Sequence, residues 1–252
     1  MLYPVEAIHV VPTPHPCYNL HVKTPEAFAL EVHRRLLEIY GQPEMRGPLP
    51  PQDQLISTIL SQNTNDTNRD RAYTALRVTF PTWEAVRDGD PQAVIEAIRS
   101  AGLANQKGPR IQKLLQQITV ERGEIDLDFL RQLPPEEVRS WLMRFKGVGS
   151  KTAAIVMLFS LGMPAFPVDT HIYRVTGRLG LRPDHVNADE AHDVLGELFP
   201  PESYYAIHLN LIRHGRQVCA ARRPDCDHCA LNDLCGYYQN LAAESNTDGS
   251  DV

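Results

Sequence analysis

Two glycines around a single valine set the sharpest turn that the chain encodes. Residues 142–156 read LMRFKGVGSKTAAIV, with apolar residues at helical spacing on both sides of the turn. Glycine adopts positive φ without steric cost, and the valine between the two glycines can be buried to fix the turn. The pattern therefore predicts two short helices that pack together as a hairpin.

The rest of the chain also carries helix signals. Thr82 and the pair Asp90-Pro91 are typical N-caps, and we expect Asp53 and Asp66 to open further helices, with others beginning near 187 and 205. No segment shows the alternation or the turn chemistry of β-hairpins. The sequence therefore predicts an all-α protein of about ten helices.

Charge is distributed unevenly along the chain. The formal net charge is −6 over 252 residues. Residues 139–183 nevertheless hold seven Lys or Arg and one acid, Asp169, whereas residues 184–204 hold six acids and no Lys or Arg. An acidic protein can still present a basic face to a polyanion. An ordinary solvated surface is the alternative interpretation.

The hairpin turn is a candidate site for a nucleic-acid backbone. The first N–H groups of its second helix lack intrahelical partners and can bind a phosphate oxygen. An ordinary αα-hairpin is the alternative. The candidate contacts are Lys146, Gly147, Val148, Gly149 and Ser150.

Lys151 follows the turn and lies in the first turn of the second helix. A cation is disfavoured there, which makes the neutral amine more available as a nucleophile. Asp169 in PVDTHIYR precedes the next helix and could stabilise a cationic transition state or relay a proton. The two would line one cleft if the chain returns after the intervening helix. A phosphate contact for the lysine and a simple N-cap for the acid are the alternatives.

Four of the five cysteines lie within 17 residues, which suits a soft metal centre better than disulfides. The spacing allows either zinc or a [4Fe–4S] cluster. Arg222 and Arg223 lie between the first two cysteines, so a metal centre could stiffen a basic loop, and Cys17 lies apart. The candidate ligands are Cys219, Cys226, Cys229 and Cys235.

Taken in this order, the hairpin, the VDTHIYRV segment and the cysteine block resemble the endonuclease III family of helix-hairpin-helix DNA glycosylases. The resemblance covers roughly residues 52–237. It implies that Lys151 is the nucleophile, that Asp169 is the catalytic aspartate, and that the cysteines hold a [4Fe–4S] cluster. It also implies two domains, a six-helix barrel over 46–160 and a cluster domain from 1–45 and 161–252, with a DNA cleft between them.

Two loops resemble family segments that enter the DNA helix. In AGLANQKG, Leu103 would be an apolar wedge and Asn105 a polar plug. In LSQNTND, either Gln62 or Asn63 would fill the space that the flipped base vacates. The resemblance adds further DNA contacts at His171 and at the two arginines of the cysteine block.

The activity that the resemblance implies is a bifunctional DNA glycosylase with AP lyase activity. Oxidised or saturated pyrimidines such as thymine glycol would be its substrates. A monofunctional adenine-type relative and a non-catalytic DNA-binding or redox-sensing module are the alternatives. We expect a monomer that binds double-stranded DNA with a damaged base or an abasic site. No membrane or targeting segment is visible, so we also expect a cytoplasmic protein associated with the chromosome.

Overall fold

The structure is a computed structural model that describes residues 24–44 and 47–247. Twelve α-helices, and no β-strand, lie within these residues, which confirms the all-α prediction. The helices are α1 (Pro25–Tyr40), α2 (Pro51–Ser61), α3 (Asp66–Thr79), α4 (Trp83–Asp88), α5 (Pro91–Ala97), α6 (Ala104–Arg122), α7 (Pro135–Met143), α8 (Ser150–Val156), α9 (Thr170–Leu179), α10 (Glu190–Leu198), α11 (Tyr204–Gln217) and α12 (Gly236–Thr247).

Helix starts follow the predicted caps at some positions and not at others. The side chains of Thr82 and Asp90 accept hydrogen bonds from backbone N–H groups of α4 and α5, as predicted. The prediction for Asp53 was wrong, because α2 already begins at Pro51 and places this residue inside its first turn. Its carboxylate instead accepts hydrogen bonds from the Tyr73 hydroxyl and the Trp83 indole N–H, at 2.5 and 3.2 Å.

α3 begins at Asp66, as predicted, whereas α10 begins two or three residues later than predicted. Asn65, rather than Asp66, caps α3, accepting from the Asn68 N–H at 2.9 Å. α10 begins at Glu190, later than predicted, because the Asn187 side chain accepts the N–H groups of residues 189 and 190 across a preceding turn. Local side-chain hydrogen bonds decide both positions.

Buried apolar side chains form two clusters. The first runs from Leu55 to Leu161 and fills the space between α2 and α8. The second combines α1 with residues 166–234. The chain therefore passes between the clusters in the short segment between Leu161 and Phe166. The division into domains at 46–160 and at 1–45 with 161–252 stays a proposal, which these two clusters support.

The predicted hairpin connects α7 to α8. Gly147 adopts a φ of +87°, in the left-handed region, and Val148 is buried beneath the turn. α8 continues into one π-helical turn, Met157–Leu161, which ends at Gly162 with a φ of +66°. The apolar run of residues 152–168 is thus a core helix and a turn, as its glycine and prolines predicted.

An extended segment then leads from the π-helical turn to α9. Two buried histidines contact the backbone of this segment. The Nδ1 atom of His208 lies 2.9 Å from the Pro167 carbonyl oxygen, and that of His192 lies 2.8 Å from the Phe166 carbonyl oxygen. These contacts fix the path of the chain just before Asp169.

Candidate active site

A cleft of about 1900 Å³ runs between the two clusters of buried side chains. α2, α3 and α8 line one side of it, and α9 and α11 line the other. Lys151 and Asp169 both line this cleft, and so does His171. The structure thus brings together the two residues that the sequence singled out for chemistry.

The two candidate catalytic side chains differ in how they are held. Lys151 is the second residue of α8 and its side chain is exposed. Asp169 is partly buried and caps α9, accepting hydrogen bonds from the N–H groups of His171 and Ile172 at 2.9 and 2.8 Å. Both hydrogen bonds end on Oδ1, which leaves the lone pairs of Oδ2 for another partner. The N-cap contacts therefore orient the carboxylate and leave one of its oxygens available.

Asp66 is a second carboxylate in the cleft, and the sequence analysis did not assign it a role there. Its carboxylate forms ion pairs with Arg216 at 2.8 Å and with Arg69 at 3.4 Å. Partial burial opposes ionisation of Asp66, but the hydrogen bond from Arg216 and the charges of Arg69 and Lys151 lower its pKa overall. The cleft therefore holds an ionised acid that links α3 to α11.

His208 is buried in the wall of the cleft and was also missed by the sequence analysis. Burial lowers its pKa from 6.5 to about 4, although the nearby Asp169 charge and the Pro167 carbonyl oppose this shift, and Lys151 adds to it. The imidazole is therefore neutral near pH 7, with Nδ1–H free to donate to the Pro167 carbonyl. A buried neutral ring thus holds the segment that positions Asp169.

The hairpin and the loop after α2 are tied together. Lys146, Gly147 and Gly149 are exposed, whereas Val148 and Ser150 are buried. The Gln62 amide donates to the Gly147 carbonyl oxygen at 3.0 Å, and its Oε1 accepts from Arg110 at 3.1 Å. Gln62 is therefore directed at the hairpin.

Asn63 and Leu103 are held in a similar backbone conformation. Asn63 is exposed, lines the cleft and has a φ of 54°. Leu103 has a φ of 50° and is 48% exposed. Leu103 and Asn105 line a separate groove rather than the main cleft. Arg222 and Arg223 are exposed on the cysteine loop and lie outside both.

All four predicted cysteine ligands are free thiols that line one small cavity. Burial raises the pKa of Cys229 to about 11 and also raises that of Cys235. Arg178 donates to Cys219 Sγ at 3.3 Å and to the Ala220 carbonyl oxygen at 2.8 Å, which anchors the loop on α9.

The four thiols share one cavity, but the described residues hold no group of side chains already arranged around a single metal ion. A zinc ion holds each thiolate at about 2.3 Å, so its four sulfurs lie within about 4 Å of one another. Within residues 24–44 and 47–247, no three Cys, His, Asp or Glu side chains are grouped closely enough for such a site. Four thiolates are also the ligand set of a [4Fe–4S] cluster, so the side chains present fit that group by their chemistry, and the cluster stays a proposal.

Residues 56–201 match the family described as "HhH-GPD superfamily base excision DNA repair protein". Endonuclease III of Sulfolobus acidocaldarius is 34% identical over 186 residues, which cover 73% of this chain and 81% of that protein. The chain belongs to the endonuclease III family. It is therefore a base excision DNA repair protein of the helix-hairpin-helix superfamily, as the sequence resemblance implied.

Solved structures of endonuclease III bound to DNA share this fold. A non-covalent complex and a trapped covalent intermediate each match with a TM-score of 0.73 and 27% identity, covering 86% of this chain and 98% of theirs. A putative DNA glycosylase of Arabidopsis thaliana is 37% identical over 168 residues, which are 67% of this chain but only 57% of that protein. In the described part of the chain, no helix is long and apolar enough to cross a bilayer.

The buried His208 makes a testable contribution to the pH dependence of stability. Its lowered folded-state pKa means that the unfolded chain binds more protons between pH 6.5 and about 4, so stability falls as the pH falls through this window. Between pH 7 and pH 5, His208 accounts for a decrease of about 2 kcal/mol in the free energy of unfolding. His208→Asn keeps an N–H donor near Nδ1 without a titrating group and should reduce the loss of stability by that amount.

Urea unfolding at pH 7 and pH 5, followed by circular dichroism, measures this difference. The control is His185→Asn, at an exposed histidine, which should lose as much stability on acidification as the unsubstituted chain. If His208→Asn and the unsubstituted chain lost equal stability between pH 7 and pH 5, the ring would not be held neutral by burial.

Proposed function

We propose that the chain is a bifunctional DNA glycosylase with AP lyase activity. One observation carries the proposal: an exposed lysine amine at the start of α8 and the α9 N-cap carboxylate line the same cleft. An amine and a carboxylate across one cleft are the groups that covalent base removal through a Schiff base requires. The trapped covalent intermediate of endonuclease III, a structure with the same fold, supports the assignment.

The chemistry begins when a damaged nucleotide rotates out of the duplex into the cleft. The nitrogen lone pair of the Lys151 amine attacks C1′, and the new C–N bond forms as the glycosidic bond breaks and the base leaves with the bonding electrons. Asp169 stabilises the positive charge that develops on the sugar and accepts the proton that the amine loses. The free Oδ2 of Asp169 is the oxygen available for this proton.

Strand cleavage follows from the covalent intermediate. Opening of the sugar ring gives a protonated Schiff base between C1′ and the Lys151 nitrogen. The Schiff base withdraws electrons, so a base in the site can remove a proton from C2′. The electron pair left on C2′ then forms a double bond to C3′ and expels the 3′ phosphate, which cuts the strand by β-elimination.

The partner is double-stranded DNA with a damaged base or an abasic site. The exposed hairpin residues would contact the phosphate backbone, with His171 and the loop arginines 222 and 223 extending the surface. Asn63 is the better candidate to fill the vacated space, because it lines the cleft whereas Gln62 is bonded to the hairpin. Leu103 and Asn105 would enter the helix beside it. Oxidised or saturated pyrimidines are the substrates that the resemblance to the endonuclease III family implies.

A [4Fe–4S] cluster is the cofactor that the four cysteines would hold. It would supply a structural cross-link for the loop between Cys219 and Cys235 rather than take part in the reaction. The hydrogen bonds from Arg178 to this loop already bring it against α9, the helix that Asp169 caps. The chain's own residues therefore connect the cysteine loop to the cleft.

Lys151→Gln should abolish strand cleavage and leave DNA binding largely intact. The substitution removes the nucleophile and its charge but keeps a polar side chain that is one atom shorter. Cleavage is measured on duplexes with one thymine glycol or one abasic site, and binding is measured by fluorescence anisotropy. Lys113→Gln, at an exposed lysine on α6, is the matched control and should cut as well as the unsubstituted chain.

Cleavage by Lys151→Gln at the unsubstituted rate would refute the lysine assignment. If the chain cut the abasic duplex but removed no base from the thymine glycol duplex, the AP lyase activity would stand and thymine glycol would be rejected as a substrate.

Replacement of a cluster ligand should remove the iron and lower the folded yield. Cys226→Ser is expected to lose the visible absorbance of the purified protein and about four iron atoms per chain. Cys17→Ser is the control and should retain both; this residue lies outside the described residues. Metal analysis that finds one zinc ion and no iron in the unsubstituted chain would contradict the cluster.

A further inference from the structure

Lys107 is a lysine buried in the first cluster, with a side chain 1% exposed. It lies on α6, one turn after Leu103, and its ammonium group donates to the carbonyl oxygens of Leu60 and Ala101, both at 2.8 Å. Within the described residues, none of the salt bridges includes Lys107. A buried cation that bonds only to backbone carbonyls is unusual and requires a reason.

Stability does not provide that reason. Burial, with a smaller contribution from the charge of Arg110, lowers the pKa of Lys107 from 10.5 to about 8. The unfolded chain therefore holds this proton more tightly than the folded chain, and keeping the charge near pH 7 lowers the stability of the fold. An apolar side chain of similar length would avoid this desolvation cost, so what Lys107 contributes is its two hydrogen bonds to the Leu60 and Ala101 carbonyls.

The two acceptor carbonyls lie at the ends of two helices. Leu60 is in the last turn of α2, and Ala101 ends the 3-10 helix Arg99–Ala101. Carbonyls at these positions lack intrahelical partners, and a cation beside them is favourable. Lys107 therefore caps two helices at once, although it belongs to a third.

Each capped helix ends directly before a loop proposed to enter the DNA. Leu60 is followed within three residues by Asn63, and Ala101 is followed within two by Leu103. Both of these residues have left-handed backbones. Asparagine adopts this conformation readily, but leucine does not, so the surrounding structure must hold Leu103 there. The Ser100 hydroxyl also bonds to the Asn68 carbonyl oxygen at 3.2 Å, so the two regions meet at a second point.

We infer that Lys107 is a positioning residue that fixes the separation of Asn63 and Leu103, so that both side chains enter the DNA at one extrahelical site. The inference rests on the proposed DNA function of these two loops. Without Lys107, the Leu60 and Ala101 carbonyls lose their shared donor, and each loop moves independently of the other. The enzyme then loses its preference for DNA with a vacated site, while its affinity for intact DNA changes little.

Lys107→Met tests the inference through binding alone. The duplex carries a tetrahydrofuran abasic analogue, which cannot form a Schiff base, and an undamaged duplex of the same sequence gives the reference Kd. The preference is the Kd for the undamaged duplex divided by the Kd for the abasic duplex. This ratio should fall at least tenfold in Lys107→Met. Ile118→Ala is the control for lost stability, because Ile118 is fully buried on the same helix about 16 Å further along. Its ratio should stay unchanged.

A double-substitution cycle separates positioning from a general structural effect. Leu103→Ala should itself lower the ratio, and adding Lys107→Met to it should lower the ratio much less than in the unsubstituted chain. Additive losses, or an unchanged ratio in Lys107→Met, would overturn the inference. Absence of any preference for the abasic analogue in the unsubstituted chain would instead reject the proposed function, which keeps the two failures apart.

Discussion

The extended segment from Phe166 to Val168 is the part of the chain on which the cleft depends. It enters the second cluster of buried side chains and leads directly to Asp169, the residue that caps α9. Its carbonyls at 166 and 167 lie against the rings of two buried histidines. Because neither carbonyl has a regular helix or sheet partner there, the histidines decide where Asp169 lies relative to Lys151. The side of the cleft that carries Asp169 is therefore fixed by contacts with buried histidines.

Two buried ionisable groups hold segments that lead to proposed functional residues. Burial disfavours the charged form of both: it lowers the pKa of His208 to about 4, which keeps the ring neutral, and it lowers the pKa of Lys107 to about 8. An apolar side chain at either position would avoid the desolvation cost but would leave backbone carbonyls without a donor. These groups thus lower stability in exchange for defined loop positions, a compromise that is common at functional sites.

Sequence reasoning reached the features whose chemistry is local. The all-α class, the glycine hairpin and the caps at 82 and 90 each depend on residues a few positions apart, and the structure agrees with them. Asp53 shows where such reasoning fails, because its partners Tyr73 and Trp83 lie 20 and 30 residues away. A preceding proline pair starts the helix, and the acid is used in packing instead.

The same limit applies to the residues of the candidate site. Lys151, Asp169 and the cysteine spacing stand out because each belongs to a compact motif. His208, Lys107 and the ion pair between Asp66 and Arg216 do not, because each acts on a segment 41 to 150 residues distant in the chain. A lysine in an otherwise apolar helix face was the one available signal for Lys107. Only the folded chain shows which carbonyls it meets.

The most direct test of the account is to locate the covalent bond. The chain is incubated with an abasic duplex and borohydride, the adduct is digested with protease and nuclease, and the peptide that carries the sugar remnant is sequenced by mass spectrometry. The account predicts that the remnant lies on the Nζ atom of Lys151 and on no other lysine. A remnant on Lys146 or on the N-terminal amine, or no adduct at all, would contradict it.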